Sequence, residues 1–187
     1  MIITKQLLKA LIPCSAEKDV RYYLNGALFS YRAATKRLEV ISTNGVILSR
    51  FIADYPEETE PDFDIIIPID TLKAAVKALG KSPAVALERI DDKRWALDLQ
   101  LFSPIDGKFP DWQRVNPDRN LFKDDSPAGQ FNLDYQVAAR KALREYYDTP
   151  NAHYKLHHRG PTDSALMAKS LDDECFVVLM PMTWAKK

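Results

Sequence analysis

The chain has 187 residues, 46% hydrophobic and 28% charged, an ordinary globular composition that excludes disorder as its main character. Its 26 basic residues balance 26 acidic ones, so no global field draws it onto nucleic acid, and any such surface must be a local patch. No apolar run approaches bilayer-spanning length, MIITKQLLKAL is too short and charged for a signal peptide, and Cys14 and Cys175 lack C-x-x-C spacing, so a cytoplasmic protein without membrane contact is expected.

The first predicted element is a helix over roughly Thr4 to Ile12, ended by Pro13, which cannot continue it. Leu7, Leu8 and Leu11 form its apolar stripe, while Lys5 and Lys9 fall on the other side. Strand signals follow in ALFSY (27–31), RLEVIST (37–43) and VILSRFIA (46–53). The apolar IIIPI (65–69) leads into a second helix from Asp70 to Leu79, capped by Asp70 or Thr71 and ended by Gly80. Leu72, Val76 and Leu79 face one way and Lys73 and Lys77 the other.

Strands are next expected in AVALERI (84–90), in RWALDLQLF (94–102) and in IDGKFP (105–110). Alternation is clear in Val85-Leu87-Arg89 and in Trp95-Leu97-Leu99-Leu101. The polar, Pro- and Gly-bearing stretch 116–130 reads as an interdomain linker. A third helix covers about Leu133 to Tyr147, with Asn132 as its cap and Arg140, Lys141 and Arg144 on its polar side. AHYKLHH (152–158), ALMAKS (165–170) and CFVVLMPM (175–182) are the last strands.

Lys-Ala-Leu recurs at Lys9, Lys77 and Lys141, spaced 68 and 64 residues apart, each time in a helical pattern followed by strands. The expected fold class is therefore α+β: three repeated units of a helix plus antiparallel strands, with the helices on one face of the sheets. Each helix also has a cationic outer face. Solvation explains one such face; the same bias on three repeats in a neutral chain equally fits a nucleic-acid surface.

Catalytic signatures are missing. No Walker A loop, nucleophile elbow or dinucleotide fingerprint occurs. His153 and His157 have i, i+4 spacing, but in a strand that spacing does not converge on a metal. The expectation is no enzyme, no metal and no cofactor. FPDWQRV (109–115) and FVVLMPMTW (176–184) are adaptable apolar stretches that suit either core packing or a groove receiving another protein's side chains.

DVRYYLNGALF, STNGVIL, IIIP before a helix, KFPDWQRVNP, FNLDY and FVVLMPM, in this order, resemble the bacterial DNA polymerase III β subunit family, the sliding clamps. The resemblance implies the DNA-clamp fold. It divides the chain into residues 1–117, similar to the clamp's middle domain with two repeat units, a linker at 118–128, and residues 129–187, similar to the second half of the third domain. The family's first domain and the first half of its third have no expected counterpart.

By this resemblance, Lys5, Lys9, Lys73, Lys77, Arg140, Lys141 and Arg144, together with the aromatic pair Tyr22 and Tyr23, would contact double-stranded DNA without reading its sequence. A pocket for short peptides of polymerases and repair factors would be formed by Leu24, Thr43, Gly45, Val46, Ile47, Leu48, Pro110, Arg114, Val115, Asn132, Tyr135, Val178, Leu179, Met180, Pro181 and Met182. The family's T-D-G-H-R-L reads Thr43-Asn44-Gly45-Val46-Ile47-Leu48, which replaces a polar rim by an apolar one. Trp184, past the family's usual end, could cover or enlarge the pocket. The implied function is a replication or repair accessory, a processivity factor, with a clamp-binding-motif protein and a clamp loader as partners. The alternative is an adaptor or decoy that binds the same peptides without encircling DNA. The family's ring has twelve repeat units, which four chains of three units would supply; a two-fold dimer and a monomer are the other arrangements.

Overall fold

The computed structural model describes residues 1–57, 59–122, 126–150 and 153–182. Strand β1 (Ile2–Thr4) runs straight into helix α1 (Lys5–Leu11). Thr4 caps that helix, its Oγ1 accepting from the Leu7 amide at 3.3 Å, and Pro13 lies in the 3-10 turn that closes it. Three strands follow, β2 (Gly26–Arg32), β3 (Arg37–Thr43) and β4 (Ile47–Asp54). Strand β5 (Phe63–Pro68) feeds α2 (Ile69–Ala78), and β6 (Ala84–Arg89), β7 (Trp95–Leu97) and β8 (Gln100–Phe102) complete the second unit. The third unit contains α3 (Leu133–Tyr147), β9 (Lys155–His157), β10 (Ala165–Ala168) and β11 (Phe176–Leu179).

The first two units exchange their leading strands. β1 pairs with β6 of the second unit, aligning Ile3 with Val85, and β5 pairs with β2 of the first, aligning Ile65 with Phe29. The result is a four-stranded sheet ordered β1-β6-β7-β8 and a seven-stranded sheet ordered β5-β2-β3-β4-β11-β10-β9. The third unit enters the larger sheet through β11, which runs antiparallel to β4 with Val178 opposite Leu48.

The helices form one layer, α1 packing against both α2 and α3. Leu7, Leu8 and Leu11 of α1, Leu72 of α2 and Leu143 of α3 share one core with Phe29, Val40, Phe51, Val177 and Leu179 of the large sheet and Leu87 and Leu97 of the small one. Buried between α1 and the large sheet, Ser42 Oγ donates to Leu11 O at 2.8 Å and meets Ser49 Oγ at 2.8 Å, so two buried hydroxyls satisfy each other and a helix-end carbonyl. A second, smaller cluster lies on the opposite face of the large sheet, where Ile41, Leu48, Ile66, Leu166, Phe176 and Val178 are covered by Phe109 and Phe122 of the segment that follows β8.

Three local expectations change. The alternation over Trp95 to Leu101 is not one strand: Asp98 adopts φ 55° and a turn at 98–99 separates β7 from β8. Leu99 and Leu101 are consequently 89% and 67% exposed, because the turn places them outside the core that Trp95 and Leu97 enter. IDGKFP forms no strand; Ile105 N donates to Ile66 O at 2.9 Å and the chain then leaves the sheet edge. Neither Asp70 nor Thr71 caps α2, whose N-cap position is Pro68; its first amide, Ile69 N, donates instead to Asn25 O at 2.9 Å. The segment 118–128 carries a 3-10 turn at Arg119–Leu121, braced by Asp118 Oδ1 accepting from Asn120 N at 3.0 Å. Among the described residues, no helix is long and apolar enough to cross a membrane.

Because β11 is laddered to β4 and α3 packs on α1, the third unit should melt with the rest in one transition. Leu143→Ala, at a fully buried site, should lower the stability of the whole chain by about 2–5 kcal/mol. Urea unfolding followed by both fluorescence and circular dichroism should give one coincident, shifted midpoint.

Candidate peptide pocket and candidate nucleic-acid face

The hairpin joining β3 to β4 is shaped by short polar side chains. Asn44 Oδ1 accepts from Val46 N at 2.9 Å and from Ile47 N at 3.0 Å, while Thr43 Oγ1 donates to Ile47 O at 2.7 Å and accepts from Gly45 N at 3.0 Å. Gly45 takes φ +91°, a conformation that disfavours a side chain. The Arg21 guanidinium fills the space beside it and donates to Asn44 O at 3.2 Å. Asp19 holds Arg21 from behind at 2.8 Å, and the same hydrogen bonds pull the Asp19 carboxyl down to about 2. The turn therefore holds Val46 out toward solvent.

Beside this turn, β11 ends and the ladder continues one step further, with Met180 N donating to Val46 O at 2.9 Å. Strand alternation sends Val178 and Phe176 to the outer face and Val177 and Leu179 to the helix-side core. A cavity of about 290 Å³ opens between these elements, lined by Leu24, Thr43, Gly45, Val46, Ile47, Leu48, Pro110, Val115, Val178 and Met180, with Arg21, Tyr23, Asp111 and Trp112 completing its wall. Its lining is mostly apolar, with an arginine and an aspartate in the wall, which suits an apolar anchor side chain flanked by polar chain.

The other pocket candidates lie around it. Arg114 and Pro181 line an adjoining cavity of about 430 Å³ that shares Val115 and Met180 with the first. Leu179 is buried in the core, and Tyr135 packs partly buried against the same core. Asn132 caps α3, its Oδ1 accepting from Asp134 N at 2.8 Å. Met182 N donates to Gln130 O at 2.8 Å, tying the end of the β11 segment to the approach of α3. Trp184 lies outside the described residues.

Tyr23 is the residue whose place differs most from its neighbour's. Tyr22 is 56% exposed, whereas Tyr23 turns into the cavity wall; the two rings meet edge to face with centroids 5.7 Å apart. Gly107 packs closely against both. Trp112 and Arg21 also line the cavity, although the family resemblance does not point to them. Trp112 stands in the same FPDWQRV segment as Pro110, and its ring is covered by the Arg50 guanidinium at 5.2 Å. Arg50 is itself anchored by an ion pair to Glu39 and by a 2.7 Å hydrogen bond to Glu174 O.

The cationic side chains of the helices divide into two groups. Lys9 pairs with Glu145 of α3, Lys73 pairs with Glu17, and Lys5 Nζ donates to Gly80 O at 2.5 Å. Lys77, Arg140, Lys141 and Arg144 are exposed and have no side-chain partner among the described residues. Three of these four sit on α3, within about one helical turn of one another. No group of three or more His, Cys, Asp or Glu side chains among the described residues could hold a metal ion. Cys14 is fully buried and its thiol is pushed up to about 12 by burial, as expected of an inert core thiol.

No protein-family model matches the chain. In sequence it is 30% identical over 125 residues to the beta sliding clamp of Salmonella typhimurium, a match covering 63% of this chain and 33% of that protein. The chain thus spans about a third of the length of the curated relatives it matches. In structure it resembles the DNA polymerase III subunit beta of Pseudomonas aeruginosa with a TM-score of 0.75 at 18% identity, covering 98% of this chain and 66% of that one. It resembles the Helicobacter pylori beta clamp bound to a DNA ligase peptide with a TM-score of 0.73 at 16% identity, covering 97% of this chain and 65% of that one. The chain is a relative of the bacterial beta sliding clamps in sequence, and along nearly its whole length it has the fold of the DNA polymerase III β subunit.

Proposed function

We propose that this chain is a non-catalytic DNA replication or repair accessory of the cytoplasm that receives short peptides of polymerases or repair factors in the cavity between Val46 and Met180. The observation that carries the reading is the cavity itself, largely apolar and built jointly by the β3–β4 turn of the first unit and the end of β11 of the third. Leu48 and Val178 face each other across the ladder there, and Trp112, Pro110 and Met180 provide adaptable walls for one anchor side chain. The H. pylori clamp of the same fold was solved with a DNA ligase peptide.

The second half of the proposal is non-specific contact with duplex DNA through the helix layer. Exposed Arg140, Lys141 and Arg144 on α3 and Lys77 on α2 are its main contributors, with Lys5, Lys9 and Lys73 beside them. Encirclement by a homo-oligomer and recognition by a clamp loader belong to the same reading. The internal engagement of Lys9 and Lys73 favours the adaptor alternative, in which the peptide pocket works without a ring.

A clamp-binding peptide should bind with a dissociation constant on the order of micromolar by calorimetry, and Met180→Ala should weaken it roughly tenfold, about 1.4 kcal/mol. Tyr23→Ala should weaken the same peptide and Tyr22→Ala should not. No detectable heat with the wild-type chain would remove the reading. Duplex DNA binding by fluorescence anisotropy should fall steeply with salt, and replacing Arg140, Lys141 and Arg144 with Glu should reduce the log–log salt slope by roughly 0.9 for each phosphate no longer neutralised. Absence of DNA binding by the wild-type chain, with peptide affinity intact, would leave the adaptor alternative standing, and unchanged DNA binding in the Glu variant would remove α3 as the DNA face.

A further inference from the structure

We propose that a partner peptide seated in the cavity continues past Trp112 into a polar groove on the far side of the covering segment, and that its flank there is extended and acidic, with Lys108 receiving a carboxylate. This rests on the peptide reading above and adds the place and the chemistry of the flank. Residues 104–113 lie across the outer face of the large sheet. The cavity of about 290 Å³ opens on one side of them and a groove of about 700 Å³ on the other, and Pro110, Asp111 and Trp112 line both. The smaller space holds little more than an anchor, so a longer chain has to leave it, and the groove is continuous with it over Trp112. The wall between them is fixed at several points. Ile105 N donates to Ile66 O at 2.9 Å, and Phe109 is buried over Ile41 and Ile66. A Cβ on Gly107 would stand only 3.2 Å from the Tyr22 ring and 3.3 Å from Tyr23, and the Trp112 ring rests against the Arg50 guanidinium. The groove therefore exists before any ligand arrives, which lowers the ordering cost of filling it.

The floor of the groove sets the character of its occupant. Along the outer face of β5, β2 and β3 the cross-strand rows change in steps of two residues. Ile66, Leu28 and Ile41 form an apolar row beneath the covering segment, and Asp64, Ser30 and Glu39 form the next, polar row. Beyond them Arg32 lies opposite Arg37. A greasy chain would find no further apolar floor past the first row, whereas a polar one meets hydrogen-bonding groups. The charges of the lining are almost all satisfied within the protein. Asp64 pairs with Arg32 at 2.9 Å, Glu39 with Arg50, and Asp111 with Arg114 at 3.1 Å, while Arg37 is held by Asp54 and Glu174. Lys108 is the exception: it lines the groove, is exposed, and has no side-chain partner among the described residues. The uncompensated charge of the groove is therefore positive and sits on the wall beside Trp112, where a carboxylate of the passing chain gains and an ammonium group loses.

The test is calorimetry on the full chain with a clamp-binding peptide alone and with the same peptide lengthened by a short Ser-Asp flank before or after it. One of the flanked peptides should bind roughly two- to fivefold tighter than the unflanked one, a gain of the size exposed charge pairs give, and the gain should shrink as salt is raised. Lys108→Glu should abolish the gain and leave the unflanked peptide unchanged, and a Ser-Lys flank should restore it on that variant. Lys155→Glu, on β9 and away from the groove, should leave the gain intact. Equal affinity of flanked and unflanked peptides overturns the proposal, as does a gain that survives Lys108→Glu. Binding of a flanked peptide that depends on Lys108 but not on Met180, with no heat from the unflanked one, removes the anchor in the cavity and keeps the acidic segment in the groove. No heat from any of these peptides removes both.

Discussion

The β4–β11 ladder is the contact on which the rest of the molecule depends. Four residue pairs, from Phe176 opposite Arg50 to Leu179 opposite Ile47, join two segments more than a hundred residues apart in the chain. On the helix side they set Val177 opposite Ser49 and Leu179 opposite Ile47, in one core with Phe51, and so extend that core beneath all three helices. On the outer side they align Val178 with Leu48 and bring Met180 to Val46. The cavity is what remains where this outer face emerges from under the covering segment of Phe109 and Trp112. Structural support and binding surface are thus the two faces of one set of hydrogen bonds, separated only by the alternation of side chains along a strand.

Charge supports that arrangement where apolar contacts thin out. Arg50 sits on β4 between Glu39 and the Glu174 carbonyl, and its guanidinium faces both Trp112 and Phe176. Arg119 approaches the Phe176 ring at 4.3 Å, so two guanidiniums lie near one aromatic side chain. Burial and the neighbouring Arg50 lower the Arg119 pKa, the direction expected when two cations share a partly desolvated site. Among the helices the relation is reversed: Lys9 and Glu145 pair across α1 and α3, and Arg140, Lys141 and Arg144, which precede Glu145 on α3, are left to the solvent.

Much of the fold is legible in the sequence because it rests on local chemistry. Pro13, the period of Leu7, Leu8 and Leu11, and Asn132 at the start of α3 each act within a few residues. The alternation at Trp95 to Leu101 misleads because a two-residue turn preserves the spacing of apolar residues while reversing the chain. Which residues share the cavity is only partly legible. Val46, Leu48 and Met180 stand out as apolar, but Tyr23, Arg21 and Trp112 reach the wall through a 3-10 turn, a glycine gap and a covering segment, and no periodicity encodes those. Leu179 and Val178 are adjacent and similar in kind, and only strand pairing sends one inward and the other to the pocket.

The exchange of leading strands bears on how the chain comes off the ribosome. Ile2 to Thr4 are made well before their partners, Ala84 to Ala86, so β1 stays unpaired until its partner strand has been made. Likewise the sheet of β2, β3 and β4 gains β5 before it gains β11, and its outer edge waits until that distant strand has been made. Closing loops of that length is slow compared with forming a helix or a hairpin. The nascent chain therefore passes through an interval in which two edges of β-structure and the apolar side of α1 are open at once. Completion of Phe176 to Leu179 ends it, sealing the outer edge of β4 and building the cavity in the same step.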